Sequence, residues 1–235
     1  MKDKPKVVVI IPALNEEKAI GKVLDEVPKG LVDEMIVVDN GSTDGTAEVA
    51  KGRGATIVYE PRRGYGNACL AGIARVKEDY DDEDTVVVFL DGDHSDFPDD
   101  IGNLIGPVRD GRFDMVVGSR FLGGLEKDAM GVHGRLGNMI IIKVLSILLR
   151  RDLTDLGPFR AIRLRSLLAF DMQERTFGWT TEMTVKAVHK GLKWKEVSVR
   201  YRKRIGKAKI SGSFGSGLSA IFGILKAGMK YHLGT

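Results

Sequence analysis

The chain has 235 residues, of which 43% are hydrophobic and 29% are charged, and its formal net charge is +4. This balance is that of an ordinary soluble protein, argues against a disordered chain, and suits one α/β domain with a C-terminal appendage. The single cysteine, Cys69, excludes an intrachain disulfide and a thiolate zinc cluster, and it fits a reducing cytoplasm.

The N-terminus shows no apolar region followed by a small-residue cleavage site, so we expect no signal peptide. No uninterrupted apolar stretch approaches the roughly 20 residues that a membrane helix needs. Basic residues crowd into 186–209, while acidic residues cluster at 78–100. The basic region fits either an anionic partner or a solvated charged face.

Five short apolar runs in the first half predict strands that are buried on both faces. These runs cover residues 7–11, 35–38, 55–59, 85–90 and 115–117. Helical patterns alternate with them, at about 16–27, 44–53, 66–78 and 98–110. The alternation predicts a parallel, doubly wound α/β sheet through about residue 120.

The second half is less regular. We expect helices at 136–150 and 181–190 and strands at 159–164 and 194–202. A Gly/Ser-rich stretch then precedes a last helix that ends near residue 232. The first and last of these helices carry apolar stripes, which are typical of core packing but also of a helix resting on a membrane surface.

Polar residues follow the predicted strands at the edge where ligands bind in open α/β sheets. They occupy 12–17, 39–44, 91–96 and 118–120. Because the carboxyl ends of parallel strands share one edge, we expect a ligand site there.

Asp91 and Asp93 form an acid-x-acid pair directly after a predicted buried strand. Residues two apart in an extended segment can face the same way, and two such carboxylates repel each other unless a cation lies between them. Carboxylate oxygens are suited to Mg²⁺ or Mn²⁺, which would bridge two phosphates and stabilise a departing nucleotide. An isolated acid-x-acid pair is more often part of a solvated turn, but the apolar run that precedes Asp91 favours a metal site.

The other strand ends leave alternatives open. Asp39 fits a ribose or base contact, or a turn residue, and Glu16 fits a base contact or a helix cap. Arg62 and Arg63 precede Gly64-Tyr65-Gly66, a basic turn that can approach a phosphate closely. This turn lacks the third glycine of a dinucleotide-binding fingerprint.

Taken together, these segments resemble the family 2 inverting glycosyltransferases, and within them the dolichol-phosphate mannose synthase-like group. The matching segments occur in the family's order and cover nearly the whole chain. They are VVVIIPALNEE, MIVVDNGSTDGT, RRGYGNA, VVVFLDGDHSD, VVGSRF, HGRLGN, DLGPFRAI, FGWTTEM and EVSVRYRKRIGKAKISG.

The resemblance implies a GT-A fold, with a mostly parallel sheet and an irregular acceptor-side half. It implies one catalytic domain over 1–210, divided into a nucleotide-sugar-binding half at 1–120 and an acceptor-binding half at 121–210. A C-terminal amphipathic helix would follow at 211–235.

The resemblance also implies roles for individual residues. The nucleoside pocket would be lined by Pro12, Leu14, Glu16 and Asp39. The metal and the diphosphate would be held by Asp91, Gly92 and Asp93. The sugar, the phosphates or an anionic acceptor would face Arg120 and Arg135. A flexible loop closing over the donor would reach phosphate through Arg204 and Lys209.

Two segments depart from the family pattern. Ser95 stands where the lipid-phosphate synthases carry a glutamine that helps to hold the metal, so the metal shell would rely on Ser95, water or Asp96. The segment 155–160 begins with Asp155, which puts an acid near the acceptor side.

The implied reaction moves a hexose from a donor of the GDP-mannose or UDP-glucose type to a polyprenyl or dolichyl phosphate at the cytoplasmic membrane face. Such an acceptor is already charged near neutral pH and needs no protein base. A soluble or glycan hydroxyl acceptor would need one, for which Asp155 and Glu182 are candidates, although Glu182 is equally a structural residue. Trp179 fits either sugar stacking or core packing.

Two other functions are less favoured. A nucleic-acid-binding module would interleave aromatic residues with its basic run, and this chain does not. A non-catalytic nucleotide-binding protein would not need the acid-x-acid pair. We therefore expect a peripheral membrane enzyme with no nucleic-acid partner.

Overall fold

The computed structural model describes residues 4–123, 125–126, 129–206 and 229–231. The strands are β1 (Val7–Ala13), β2 (Glu34–Asp39), β3 (Thr56–Tyr59), β4 (Val86–Phe89), β5 (Met115–Ser119), β6 (Arg160–Arg163) and β7 (Trp194–Ser198). The helices are α1 (Glu17–Glu26), α2 (Thr46–Lys51), α3 (Tyr65–Asp79), α4 (Ile101–Arg109), α5 (Val132–Leu149), α6 (Leu164–Ala169) and α7 (Trp179–His189).

The strands form one sheet in the order β3-β2-β1-β4-β6-β5-β7. All neighbours pair in parallel except β6, which is antiparallel to both β4 and β5. The chain winds outward from β1 through β2 to β3, and then returns to place β4 on the other side of β1. This reversal opens a crevice beyond the carboxyl ends of β1 and β4, where such sheets bind ligands.

The apolar strands are buried because helices cover both faces of the sheet. Side chains alternate along β1, so Val9 and Ile11 pack in one layer and Val8 and Ile10 pack in the other. The first layer is completed by residues from α1, α2 and α4, and the second by residues from α3, α6 and α7. The predicted doubly wound, mostly parallel sheet is confirmed.

The second half differs from the prediction in its details. The expected strand at 159–164 is shorter, and its last part begins α6, which the sequence pattern did not reveal. The expected strand at 194–202 ends at Ser198. Of the predicted C-terminal helix only residues 229–231 are described, and they are helical. Lys209 and the rest of that helix lie outside the described residues.

Helix α5 packs one face into a third apolar cluster and leaves the other face exposed. The buried face contributes Ile141, Ile142, Leu145 and Leu149, which meet Val185 of α7, Tyr231 and other apolar residues. Within the described ranges, no helix has the length and apolarity needed to cross a membrane.

The loop between α6 and α7, residues 171–178, lies across the start of α3. The Asn67 backbone N–H donates to the Arg175 carbonyl at 3.0 Å. A Cβ on Gly66 would come within 2.2 Å of the Glu174 carbonyl oxygen, and a Cβ on Gly64 within 2.3 Å of the Arg175 carbonyl oxygen. The glycines of this turn are therefore required by the close approach of protein backbone, whatever ligand the turn also meets.

We expect Gly66→Ala to lower the free energy of unfolding by about 1–3 kcal/mol, because the added methyl group overpacks a rigid contact. Gly102→Ala is the matched control, since its Cβ meets only Leu31 Cδ1 at 3.5 Å. The control is expected to leave stability unchanged or to raise it, as alanine favours a helix. Urea unfolding measures both, and equal effects of the two substitutions would contradict the described contact.

Candidate active site

A pocket of about 370 Å³ opens beyond the carboxyl ends of β1 and β4. Of the residues predicted from the sequence, it is lined by Pro12, Leu14, Glu16, Arg63, Asp91, Gly92, Asp93 and Arg204. The remaining lining residues are Ala13, Asn40, Gly64, Tyr65, Ala68 and Phe177. The structure thus brings together most of the residues predicted to bind a nucleotide sugar.

The acid-x-acid pair lies at the floor of this pocket, just after β4. Asp91 Oδ1 accepts a hydrogen bond from the Tyr65 hydroxyl at 3.1 Å. Burial and the neighbouring charge of Asp93 raise the pKa of Asp91 to about 7. The charged form of Asp91 is therefore disfavoured in the absence of a cation, as expected of a carboxylate that helps to hold a metal ion.

Ser95 lies behind Asp93 instead of lining the pocket. Its backbone N–H donates to Asp93 Oδ1 at 2.9 Å, and its hydroxyl donates to the same oxygen. These two bonds orient the Asp93 carboxylate. We therefore assign Ser95 an orienting contact in place of the predicted metal ligation.

Oxygen ligands for a cation come from the pair itself. In the part of the chain that the structure describes, no group of three or more His, Cys, Asp and Glu side chains is arranged to hold an ion. Two carboxylates nevertheless fit Mg²⁺, which is commonly held by one or two carboxylates together with substrate phosphates and water. Asp96 is buried near the pair with no hydrogen-bond partner among the described residues on either oxygen, and burial together with the charges of Asp91 and Asp93 raises its pKa well above the ordinary value.

Arg204 lies across the mouth of the pocket. Its guanidinium donates to Glu16 Oε1 at 3.0 Å and pairs with Asp93 Oδ2 at 3.2 Å. The following residue is held in place, since the Ile205 N–H donates to the Asp93 carbonyl. Arg204 thus brings a positive charge to the carboxylate pair from a segment distant in sequence.

The wall next to β2 is organised by Asn40, which the sequence analysis did not single out. Its amide donates to the Glu60 and Arg62 carbonyls at 2.9 and 2.8 Å, and its Oδ1 accepts the Gly64 N–H at 2.8 Å. Its signal was its position directly after β2. Asp39, the last residue of β2, accepts the Ser42 N–H with Oδ1 and is not among the described residues that line the pocket.

Asp155 forms a buried, bidentate ion pair with Arg120. Arg120 Nε and Nη2 donate to the two carboxylate oxygens at 2.6 and 2.7 Å, and the Asn138 amide and the Leu156 N–H also donate to this carboxylate. Although burial lowers the pKa of Arg120, the facing charge of Asp155 raises it above its ordinary value. Since both Asp155 oxygens are occupied, we no longer favour Asp155 as a catalytic base.

Glu182 is likewise engaged away from the pocket. Its side chain is fully buried and accepts the N–H groups of Gln173 and Glu174 at 2.8 and 2.7 Å. It also pairs with Lys186 at 2.7 Å. These contacts anchor the α6–α7 loop, so the structural interpretation of Glu182 is favoured over the catalytic one.

Two further predicted residues lie outside the pocket lining. Arg120 packs over the Tyr201 ring, with the guanidinium carbon 5.1 Å from its centroid. Arg135 is in the first turn of α5, and its Nε is buried with no hydrogen-bond partner in the described part of the chain. Neither arginine is among the residues that line this pocket in the described part of the chain.

Comparisons with known proteins agree with this geometry. A family model described as glycosyl transferase family 2 matches residues 8–170. An uncharacterised glycosyltransferase of Mycobacterium tuberculosis is 34% identical over 94% of this chain and 96% of its own length. A dolichyl-phosphate hexose transferase of Haloferax volcanii is 31% identical over 86% of this chain and 85% of its own.

The fold also matches solved structures. Glucosyl-3-phosphoglycerate synthase of Mycobacterium tuberculosis, crystallised with Mn²⁺, UDP and glucosyl-3-phosphoglycerate, superposes with a TM-score of 0.77 and 22% identity. The match covers 98% of this chain and 80% of that one. This likeness confirms the predicted GT-A fold.

We expect Asp155→Asn to lower the free energy of unfolding by about 3–5 kcal/mol, because the Arg120 charge would remain buried without its partner. Asp110→Asn is the control, since Asp110 forms an exposed pair with Arg112 and should contribute little. Urea unfolding compares the two variants. An Asp155→Asn protein of unchanged stability but abolished turnover would instead support the base that we set aside.

Proposed function

This chain belongs to glycosyl transferase family 2, and we propose that it transfers a hexose, with inversion, from a nucleoside-diphosphate hexose to a polyprenyl phosphate. The observation that carries the proposal is the pocket itself. It combines a carboxylate pair, half-buried Asp91 and buried Asp93, with the cation Arg204 at the edge of the sheet where nucleotides bind in such folds.

The donor would enter with its nucleoside against Pro12, Leu14 and Glu16 and its diphosphate at the carboxylate pair. Asp91 and Asp93 would hold Mg²⁺ or Mn²⁺, which supplies charge neutralisation for the departing nucleoside diphosphate. The solved relative that was crystallised with Mn²⁺ and UDP supports this assignment.

Positive side chains would complete the diphosphate site. Arg204 pairs with Glu16 and Asp93 in the described structure, and it is positioned to shift its bonds to phosphate oxygens when a donor arrives. Arg63 lines the same pocket after β3. We propose that Lys209, which follows on the same segment as Arg204, reaches the phosphates as well.

The contacts of the two candidate bases bear on the identity of the acceptor. Asp155 and Glu182 are both committed to buried ion pairs, so neither is free to remove a proton from a hydroxyl. A phosphate monoester has its second ionisation near pH 6 and reaches neutral pH already charged. A phosphate acceptor therefore suits the site better than a hydroxyl acceptor, and the similarity to the dolichyl-phosphate hexose transferase of Haloferax volcanii supports a lipid phosphate.

In the proposed reaction an acceptor phosphate oxygen attacks the anomeric carbon from the side opposite the leaving group. The new bond joins that oxygen to the anomeric carbon. The bond between the anomeric carbon and the nucleoside diphosphate breaks, and its electron pair stays with the diphosphate oxygen. Arg135, in the first turn of α5, is our candidate for positioning the acceptor phosphate. The leaving diphosphate retains the charge, so no proton transfer is required.

A membrane contact follows from the outward face of α5. This face exposes Leu136, Met139, Ile140, Val144 and Ile147. Lys143 lies on the same helix, and Arg150 and Arg151 follow its end. An apolar face flanked by basic residues is the pattern of a helix that rests on an anionic lipid surface. We propose that α5 docks there, on the cytoplasmic side where nucleotide sugars are found.

The acceptor is tested by incubating the purified protein with Mn²⁺ or Mg²⁺, labelled GDP-mannose or UDP-glucose, and a short-chain polyprenyl phosphate. We expect label to enter the organic-soluble lipid fraction with wild type and with Asp110→Ala, and not with Asp93→Ala or with EDTA. Label reaching only water-soluble products would overturn the lipid acceptor and favour a soluble hydroxyl. Undiminished transfer by Asp93→Ala would remove the role that we give to this carboxylate.

The membrane contact is tested by sedimentation with anionic vesicles. We expect Ile147→Glu to reduce binding about tenfold or more, because full burial of an isoleucine contributes about 1.5–3 kcal/mol and 1.4 kcal/mol is a factor of ten. Ile147 is 71% exposed, so the substitution should leave the fold intact. Tyr59→Glu, at an exposed position on β3, is the control. Equal vesicle binding by wild type and Ile147→Glu would contradict the proposed surface.

A further inference from the structure

An exposed phenylalanine borders the pocket, although no prediction from the sequence pointed to it. Phe177 is 41% exposed and lines the same pocket as Tyr65 and Asp91. Trp179, which fits sugar stacking in the sequence, is instead buried and packs edge-on against Phe89, with ring centroids 5.9 Å apart. Of the two aromatic residues Phe177 and Trp179, Phe177 is the one that a ligand in the pocket can contact.

The loop that carries Phe177, residues 171–178, is tied down from the α7 side. Glu182 accepts the backbone N–H groups of Gln173 and Glu174. Lys186, the ion-pair partner of Glu182, donates to the Asp171 carbonyl at 2.9 Å. A fully buried carboxylate and its cation thus hold the first half of the loop through its backbone.

The same loop is tied down from the α3 side. The Arg175 carbonyl accepts the Asn67 N–H, and the loop backbone sits against Gly64 and Gly66 without room for a Cβ. Within the loop, the Thr176 hydroxyl donates to Glu174 at 2.7 Å. The backbone on the N-terminal side of Phe177 is consequently fixed, and the next residues begin α7.

A rigid backbone that presents a partly exposed aromatic ring into a pocket has the form of a preorganised ligand contact. Single exposed apolar side chains are common on protein surfaces and need no explanation by themselves. Phe177 differs because it lines the same pocket as Asp91 and is carried by a loop whose backbone is anchored.

We propose that Phe177 packs against the hexose ring of the donor and helps to select for a sugar at that position. This inference rests on the proposed function. With the nucleoside along residues 12–16 and the diphosphate at Asp91 and Asp93, the hexose would lie beyond the diphosphate, toward the acceptor-side half that supplies the α6–α7 loop. The flat ring of Phe177 offers apolar surface to the C–H face of a pyranose, and the carboxylates accept hydrogen bonds from its hydroxyls.

The test separates the hexose from the rest of the donor. Calorimetry in the presence of Mn²⁺ compares binding of a nucleoside diphosphate with binding of the same nucleoside diphosphate carrying a hexose. We expect Phe177→Ala and Phe177→Leu to weaken binding of the hexose-bearing ligand about tenfold. The affinity for the nucleoside diphosphate without a hexose should stay unchanged. Phe177→Tyr, which keeps the ring, should bind both ligands as wild type does.

Tyr59→Ala, which removes an exposed aromatic side chain outside the pocket, should change neither affinity. Equal weakening of both ligands by Phe177→Ala would overturn the inference, because the residue would then act on the nucleotide or the fold. Unchanged donor affinity with a raised KM for polyprenyl phosphate would also overturn it, since the ring would then contact the acceptor. A wild-type protein that binds no nucleotide would instead overturn the proposed function, and this inference with it.

Discussion

The repulsion between Asp91 and Asp93 is the constraint around which the site is arranged. Both carboxylates follow a fully buried strand, where charge is costly, and burial together with Asp93 raises the pKa of Asp91 to about 7. Three neighbouring side chains bind these carboxylates. The Tyr65 hydroxyl donates to Asp91, Ser95 orients Asp93, and Arg204 pairs with Asp93. These contacts leave part of the negative charge of the pair unbalanced. A divalent cation, bound together with the diphosphate, would balance it.

Elsewhere in the fold, buried charged side chains hold loops in place. Arg120 with Asp155, and Lys186 with Glu182, are ion pairs whose oxygens are occupied by further hydrogen bonds. Such pairs are expensive to break, so they fix the loops that carry them. Placing these carboxylates in the framework also has a chemical consequence. Under the proposed function, the acceptor phosphate brings its own negative charge and the protein positions it.

Apolar runs and the residues that follow them predicted the buried strands of the first half and the position of the carboxylate pair. The apolar runs of β1, β2 and β4 and the strand-end position of Asp91 and Asp93 follow from burial and from the direction of parallel strands. The antiparallel insertion of β6 and the pairing of Arg120 with Asp155 were not predictable in this way. Those partners are 35 residues apart, and only the tertiary arrangement decides whether a carboxylate faces a pocket or an arginine. The same holds for Asn40 and Phe177, which lie in segments that match the family but whose contacts depend on the loops that meet them.

The location of a bound metal ion tests the central claim most directly. Crystals of the protein grown with Mn²⁺ and a nucleoside diphosphate would show the ion in an anomalous difference map. The account predicts a Mn²⁺ peak at direct coordination distance, about 2.0–2.2 Å, from a carboxylate oxygen of Asp91 or Asp93 and from oxygens of the diphosphate. A diphosphate bound in the pocket with its Mn²⁺ held by other residues, or with no ion beside it, would contradict the account.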